Sequence, residues 1–259
     1  MILFLAGTSD ARELAVRLQN KGYSLLATVV TQSAANSLAQ ESIPHHIGRL
    51  TAEEMQSLCL KNGCTCVIDA SHPFAEEASK QAMKAAQAIN VPYIRFERKQ
   101  EHYSHSLITK VDSYQQAAEL ALQKGGTIML TTGSKTLKTF TNVLNGKEGI
   151  RVIARMLPNI ENMEKCQELG VAQKDIVAIQ GPFTKELNTA LYKQYGVTVM
   201  ITKESGKVGS VDEKIEAALD CGIEIILIKR PQVQYGQQYE TFEGVEEALK
   251  QLGGNLVEF

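Results

Sequence analysis

Short runs of Val, Ile and Leu alternate along the chain with amphipathic stretches of about ten to fifteen residues, and no other feature restricts the fold as much. Such a run reads as a strand buried on both faces. The stretch after it is long enough to return across the sheet as a helix, so the repeat predicts parallel strands joined by crossover helices. In the first part the predicted strands are Ile2 to Ala6, Ser24 to Val30, His45 to Ile47, Cys66 to Ala70 and Tyr93 to Phe96, with helices over Ser9 to Asn20 and Phe74 to Ile89. Leu14 and Leu18 set the helical spacing of the first helix, and the second is rich in alanine.

After Arg98 the pattern lapses into Lys-Gln-Glu-His-Tyr-Ser-His, a polar stretch that suits an exposed connection. The alternation then restarts with a helix over Ser113 to Gln123 and runs at Thr127 to Thr131, Arg151 to Met156, Ile176 to Gln180, Val197 to Thr202 and Glu224 to Lys229. The sequence therefore predicts an α/β protein of two doubly wound, Rossmann-like parallel-sheet domains, residues 1–98 and 99–259. A ligand is expected in a cleft between them, because open α/β sheets bind ligands beyond the carboxyl ends of their strands.

Composition removes several classes of function. The 27 basic and 29 acidic residues leave a net charge of −2, with both signs scattered, so no basic field attracts nucleic acid. The longest apolar stretches, such as Ile223 to Ile228, are far shorter than the ~20 residues that span a bilayer. The chain opens directly on a strand without a basic leader, which predicts a cytoplasmic protein. Cys59, Cys64 and Cys66 cluster ahead of His72, but Cys66 opens an apolar run and reads as a buried small hydrophobe, so no metal site is expected.

Function should lie where strands end, and five such turns are polar or contain glycine. In Gly7-Thr8-Ser9-Asp10 the glycine permits a tight turn, and Ser9 or Asp10 could cap the next helix while its free N–H groups face a ligand. No G-x-G occurs in the chain, so the dinucleotide fingerprint is missing. Asp69-Ala70-Ser71-His72-Pro73-Phe74 delivers an acid, a hydroxyl and an imidazole to one rim, with Pro73 suited to the first turn of a helix. Thr131-Thr132-Gly133-Ser134-Lys135 offers backbone N–H groups, hydroxyls and an ammonium to a phosphate. Gln180-Gly181-Pro182-Phe183 and Thr202-Lys203-Glu204-Ser205-Gly206-Lys207 follow two more strands of the second part, and Arg155 ends another.

Taken together, Gly7-Thr8-Ser9-Asp10-Ala11-Arg12, Asp69-Ala70-Ser71-His72-Pro73-Phe74-Ala75, Thr132-Gly133-Ser134-Lys135, Gln180-Gly181-Pro182-Phe183 and Thr202-Lys203-Glu204-Ser205-Gly206 resemble the precorrin-6A reductases and their cobalt-precorrin-6A counterparts. The likeness runs through the whole chain in order and includes Lys229-Arg230-Pro231. It implies a reductase of cobalamin biosynthesis that moves hydride from a nicotinamide cofactor, NADPH or NADH, to one double bond of a tetrapyrrole precursor. A macrocycle bearing many carboxylates needs cationic donors at the rim, for which Arg12, Arg49, Arg95, Arg98 and Arg155 are available.

On this reading the cofactor lies on the second domain at Thr132, Gly133, Ser134, Lys135, Arg155, Gln180, Gly181, Pro182 and Phe183. The macrocycle faces Gly7, Thr8, Ser9, Asp10 and Arg12 from one side and Lys203, Glu204, Ser205 and Gly206 from the other. His72, with Ser71 and Asp69, is the expected catalytic group, because an imidazole with a reference pKa of about 6.5 exchanges protons near neutrality. A short-chain dehydrogenase is the enzymatic rival, but no tyrosine has lysine four positions later. A bilobed binding protein is the other rival, and it would normally carry an export leader.

Overall fold

The computed structural model describes residues 1–99, 103–204 and 212–254. The chain divides into two compact units, one made of Met1–Lys99 with the segment from Pro231 onward, the other ending at Arg230. Each is built on a six-stranded parallel sheet with helices between the strands.

In the first unit the strands β1 (Ile2–Leu5), β2 (Leu25–Val29), β3 (His45–Ile47), β4 (Cys66–Asp69) and β5 (Tyr93–Phe96) are linked by α1 (Ser9–Asn20), α2 (Gln32–Gln40), α3 (Ala52–Asn62) and α4 (Glu76–Ala88). Successive side chains of a strand point to opposite faces. Ile2 and Phe4 therefore join Leu14, Leu18 and Ile68 in one core, while Leu3 and Leu5 join Met55, Val67 and Ala82 in another. Leu14 and Leu18 are fully buried, each contributing about 1.5–3 kcal/mol of apolar transfer. Thr8, Thr31 and Thr51 start α1, α2 and α3 by accepting backbone N–H groups, and Glu54 completes a capping box with Thr51.

In the second unit β6 (Ile108–Val111) precedes α5 (Tyr114–Lys124) and β7 (Gly126–Leu130). Then come α6 (Leu137–Leu144), β8 (Ile150–Met156), α7 (Ile160–Glu168), β9 (Ile176–Ala178), α8 (Lys185–Tyr195), β10 (Val199–Lys203), α9 (Glu213–Asp220) and β11 (Glu224–Ile228). The last elements are β12 (Gln238–Tyr239) and α10 (Phe242–Gly254). The sheet orders are β12-β5-β4-β1-β2-β3 and β6-β11-β10-β7-β8-β9.

Both sheets show the doubly wound, Rossmann-like arrangement that the patterning predicts. The chain path differs from the expected single boundary. β6 follows β5 in sequence but pairs with β11, and β12 follows β11 but pairs with β5, where Arg95 N–H donates to Gln237 O at 2.8 Å. The segment that starts at Pro231 thus belongs with the first unit rather than with residues 100–230. A charge pairing helps hold α10 there: Glu246, nearly buried, accepts from Arg17 and from Lys21, the latter at 2.6 Å, both at the end of α1.

Cys59, Cys66 and Cys166 are buried core residues, with burial pushing the Cys66 thiol up to about 12, while Cys64 and Cys221 are half-buried. Among the described residues no group of three His, Cys, Asp or Glu side chains could hold a metal. No described helix is long and apolar enough to cross a membrane.

Candidate active site

The turn after β4 is held by a buried ionic network. Asp69 ends β4 directly opposite Arg95 of β5, and both side chains are fully buried. Arg95 Nη1 donates to Asp69 Oδ1 at 3.0 Å and to Ser71 Oγ at 3.3 Å, while its Nε and Nη2 reach Glu97 Oε2 at 3.1 and 2.7 Å. Asp69 also accepts the Ser71 backbone N–H at 2.9 Å and the Tyr93 hydroxyl at 2.7 Å. The Tyr235 ring lies 4.9 Å from the Arg95 guanidinium, so the returning segment closes the network. Burial and the neighbouring Asp69 push the Tyr93 hydroxyl well above its ordinary pKa, so it stays a neutral donor. Burial works against the Arg95 charge, but Asp69 and Glu97 outweigh it and raise its pKa.

His72 follows on this anchored turn. Its Nδ1 accepts the Phe74 backbone N–H at 3.1 Å, its carbonyl accepts the Ala75 N–H at 2.7 Å, and the Phe74 ring sits 5.8 Å away. Pro73 lies in this turn rather than in a helix, because α4 starts only at Glu76. The neighbouring turn after β1 also differs in detail. Thr8, not Ser9 or Asp10, caps α1 by accepting Ala11 N–H at 3.0 Å, while Asp10 pairs with Arg98 at 3.1 Å. Gly7, Ser9 and Arg12 are exposed.

These contacts correct the list of rim cations. Arg95 is buried and bound to two carboxylates, and Arg98 is paired with Asp10 and Glu13. Arg12 and Arg49 remain exposed. Asp69 likewise serves as an internal anchor, with both oxygens engaged by protein groups.

In the second unit the carboxyl ends of β7, β8, β9 and β10 carry the other turns. After β7, Thr131 Oγ1 donates to Ile201 O at 3.0 Å and the buried Thr132 hydroxyl accepts from Thr136 at 3.1 Å, so these hydroxyls secure the turn. Gly133, at φ 80°, then opens into a short 3-10 turn over Ser134–Thr136 that leads into α6, with Lys135 exposed. At the end of β8 the buried Arg155 donates to Asn188 Oδ1 at 2.7 Å and packs 4.5 Å from the centre of the Phe183 ring. Burial lowers its pKa.

A Cβ on Gly181 would come within 3.1 Å of the Phe183 ring, so glycine lets this aromatic cover lie down. Gln180 and Pro182 are exposed beside it. Lys203 at the end of β10 is half-buried, and burial followed by the charges of Lys214 and Lys135 lowers its pKa. Glu204 is fully buried and accepts the Arg230 backbone N–H at 3.2 Å, fixing the point where the chain leaves the second sheet. Ser205 and Gly206, also expected at the substrate, lie outside the described residues.

The precorrin-6x reductase model, CbiJ/CobK, matches residues 1–253. The chain belongs to the precorrin-6x reductase family. The cobalt-precorrin-6A reductase of Priestia megaterium is 57% identical over 96% of this chain and 98% of that protein. That of Salmonella typhimurium is 36% identical over 89% and 87%. The precorrin-6A reductase of Rhodococcus erythropolis is 26% identical over 97% of both. A solved structure described as CobK precorrin-6A reductase superposes with a TM-score of 0.79 at 25% identity, covering 97% of both chains.

Sequence reasoning missed Tyr93, Glu97, Tyr235, Asn188 and Lys214. One signal was present: an arginine inside the apolar strand Tyr93–Phe96 demands a buried carboxylate, and Asp69 ends another such strand. Recognising them as partners requires knowing that the two strands are adjacent.

Proposed function

We propose that this chain is a reductase of cobalamin biosynthesis that adds hydride and a proton across one double bond of precorrin-6A, in its cobalt-containing form. The carrying observation is a family match running from residue 1 to 253, with the named turns at the carboxyl ends of parallel strands. The cobalt form is favoured because the 57% and 36% identical relatives bear that name.

The nicotinamide dinucleotide is assigned to the second unit. Gly133 exposes backbone at a turn into a helix, and Lys203, depressed first by burial, also feels the positive charges of Lys135 and of Lys214, the latter paired with Asp212 at 2.9 Å. Crowded ammonium groups are relieved by a polyanion, so phosphates fit this donor set, and the extra phosphate of NADPH fits it better than NADH. Gln180, Gly181, Pro182 and Phe183 would line the remainder, with Arg155 held under the Phe183 ring. When bound, the dihydronicotinamide supplies the hydride.

The first unit is assigned to the macrocycle. Exposed Arg12 and Arg49 would bind its carboxylates, and the turn carrying Ser71 and His72 would face the ring. The protein's contribution is position and electrostatics, because the chemistry belongs to the cofactor. Purified protein mixed with NADPH and cobalt-precorrin-6A should lose nicotinamide absorbance in proportion to substrate. Substrate binding with no cofactor oxidation would refute the reading and leave a binding protein.

A further inference from the structure

We propose that Cys59 and Cys64 form a peroxide-reactive thiol pair, in which hydrogen peroxide oxidises Cys64 and Cys59 then closes a reversible intramolecular disulfide.

The pair is made by the way α3 ends. Gly63, at φ 60°, turns the chain out of the helix in the left-handed conformation. The Gly63 N–H donates to Leu60 O at 3.4 Å and the Cys64 N–H to Cys59 O at 2.9 Å, the two bonds of a Schellman motif. That motif brings the side chains of its first and last residues together, a contact commonly made by two hydrophobes. Here both are cysteine. Residues joined by a direct backbone hydrogen bond have Cα atoms about 5–6 Å apart, the separation that a disulfide spans.

Cys59 is buried in the apolar cluster that α3 and α4 form with one face of the first sheet, and half-buried Cys64 packs against the same cluster. Cys66, two residues further on, belongs to the core on the opposite face, and burial keeps its thiol protonated. Cys166 and Cys221 belong to the second unit. The pairing is therefore specified by position.

The two thiols have different tasks. Cys64 is the one that solvent reaches, and hydrogen bonding from Cys59 lowers its pKa. The same interaction, with burial, raises the pKa of Cys59. A partly exposed thiolate beside a buried thiol is the arrangement of an attacking and a resolving cysteine. The Cys64 thiolate attacks one peroxide oxygen, the O–O bond breaks, and hydroxide leaves with the proton that Cys64 released, as water. The Cys59 sulfur then attacks the sulfur of the Cys64 sulfenic acid, the S–O bond breaks, and the Cys59 proton departs with hydroxide as a second water. Two thiols have lost two electrons and one peroxide has gained them. A dithiol reverses the reaction by exchange. Closure stops Cys64 short of sulfinic acid, a charged product that would have to be desolvated against the apolar cluster. The pair sits before the amino end of β4, whereas the turn carrying Ser71 follows its carboxyl end, so this site is separate from the candidate active site.

In the test, the reduced full chain is treated with hydrogen peroxide, alkylated and cleaved with trypsin, which cuts after Lys61 and so separates the two cysteines. Mass spectrometry should find the peptide Leu50–Lys61 joined to Asn62–Lys80 through Cys64, and dithiothreitol should part them. Cys66→Ala should leave the linkage intact. In Cys59→Ala, which keeps an apolar group in the core, Cys64 should accumulate as a sulfenic acid that dimedone traps, with the linked peptides reduced about tenfold or more. The wild-type measurement decides even if a variant folds poorly. A linkage through Cys66, a sulfinic acid at Cys64 without linkage, or a Cys64 left unmodified after hours in millimolar peroxide would overturn the proposal.

Discussion

Replacing Arg95 by methionine removes the cation wedged between two carboxylates while keeping much of the apolar volume of its stem. Asp69 is fully buried and the Glu97 side chain is 9% exposed, so neither can turn to bulk water for compensation. Breaking a buried ion pair by removing one partner costs about 3–5 kcal/mol. The lower end applies here, because Asp69 keeps the Ser71 N–H at 2.9 Å and the Tyr93 hydroxyl at 2.7 Å. A loss of about 3 kcal/mol at about 1.4 kcal/mol per factor of ten predicts roughly hundredfold faster opening of β4 and β5. Hydrogen exchange read by mass spectrometry on peptides covering Cys66–Phe96 measures this directly. Adding Asp69→Asn should restore part of the protection, since the double variant no longer buries the Asp69 charge, although the Glu97 carboxylate remains. Exchange within threefold of wild type in the single variant would refute the account of Arg95 as the keystone of this turn.

Lys135→Ala should raise the NADPH dissociation constant about tenfold in a fluorescence titration, as loss of one charge-assisted bond would, with corrin binding unchanged. Arg12→Ala should weaken substrate binding by about tenfold or more while leaving cofactor affinity alone, and equal loss of both would show that the two ligands are assigned to the wrong units. Burial works to raise the Glu246 pKa, but Arg17 and Lys21 prevail and hold it below its ordinary 4.5. A lowered carboxyl contributes stability above pH 4.5 that is lost as pH falls through the folded value. Protection of α10 should therefore decline in acid, and a Glu246→Gln variant should lose that pH dependence in hydrogen exchange.

Local patterning carried much of the architecture. β1, β4, β5 and β11 are each apolar runs because a parallel strand covered on both faces has no solvent side, and their residues are nearly all buried. The polar turns were legible for a related reason: each is contiguous and immediately follows such a run, so its place at the sheet's carboxyl end comes with the strand. What the sequence alone could not decide was partnership at a distance. β12 is the two residues Gln238 and Tyr239, too short to announce itself, and β6 is only partly buried.

Their exchange between the sheets is set by which edge is open once the other strands have assembled, a property of the tertiary structure that no local periodicity encodes. Arg95 makes the same point at the scale of a side chain. In the sequence it reads as one more rim cation for substrate carboxylates. In the fold, β4 and β5 are neighbours in a register that sets Asp69 opposite it, and a buried charge takes whichever counter-charge the packing supplies.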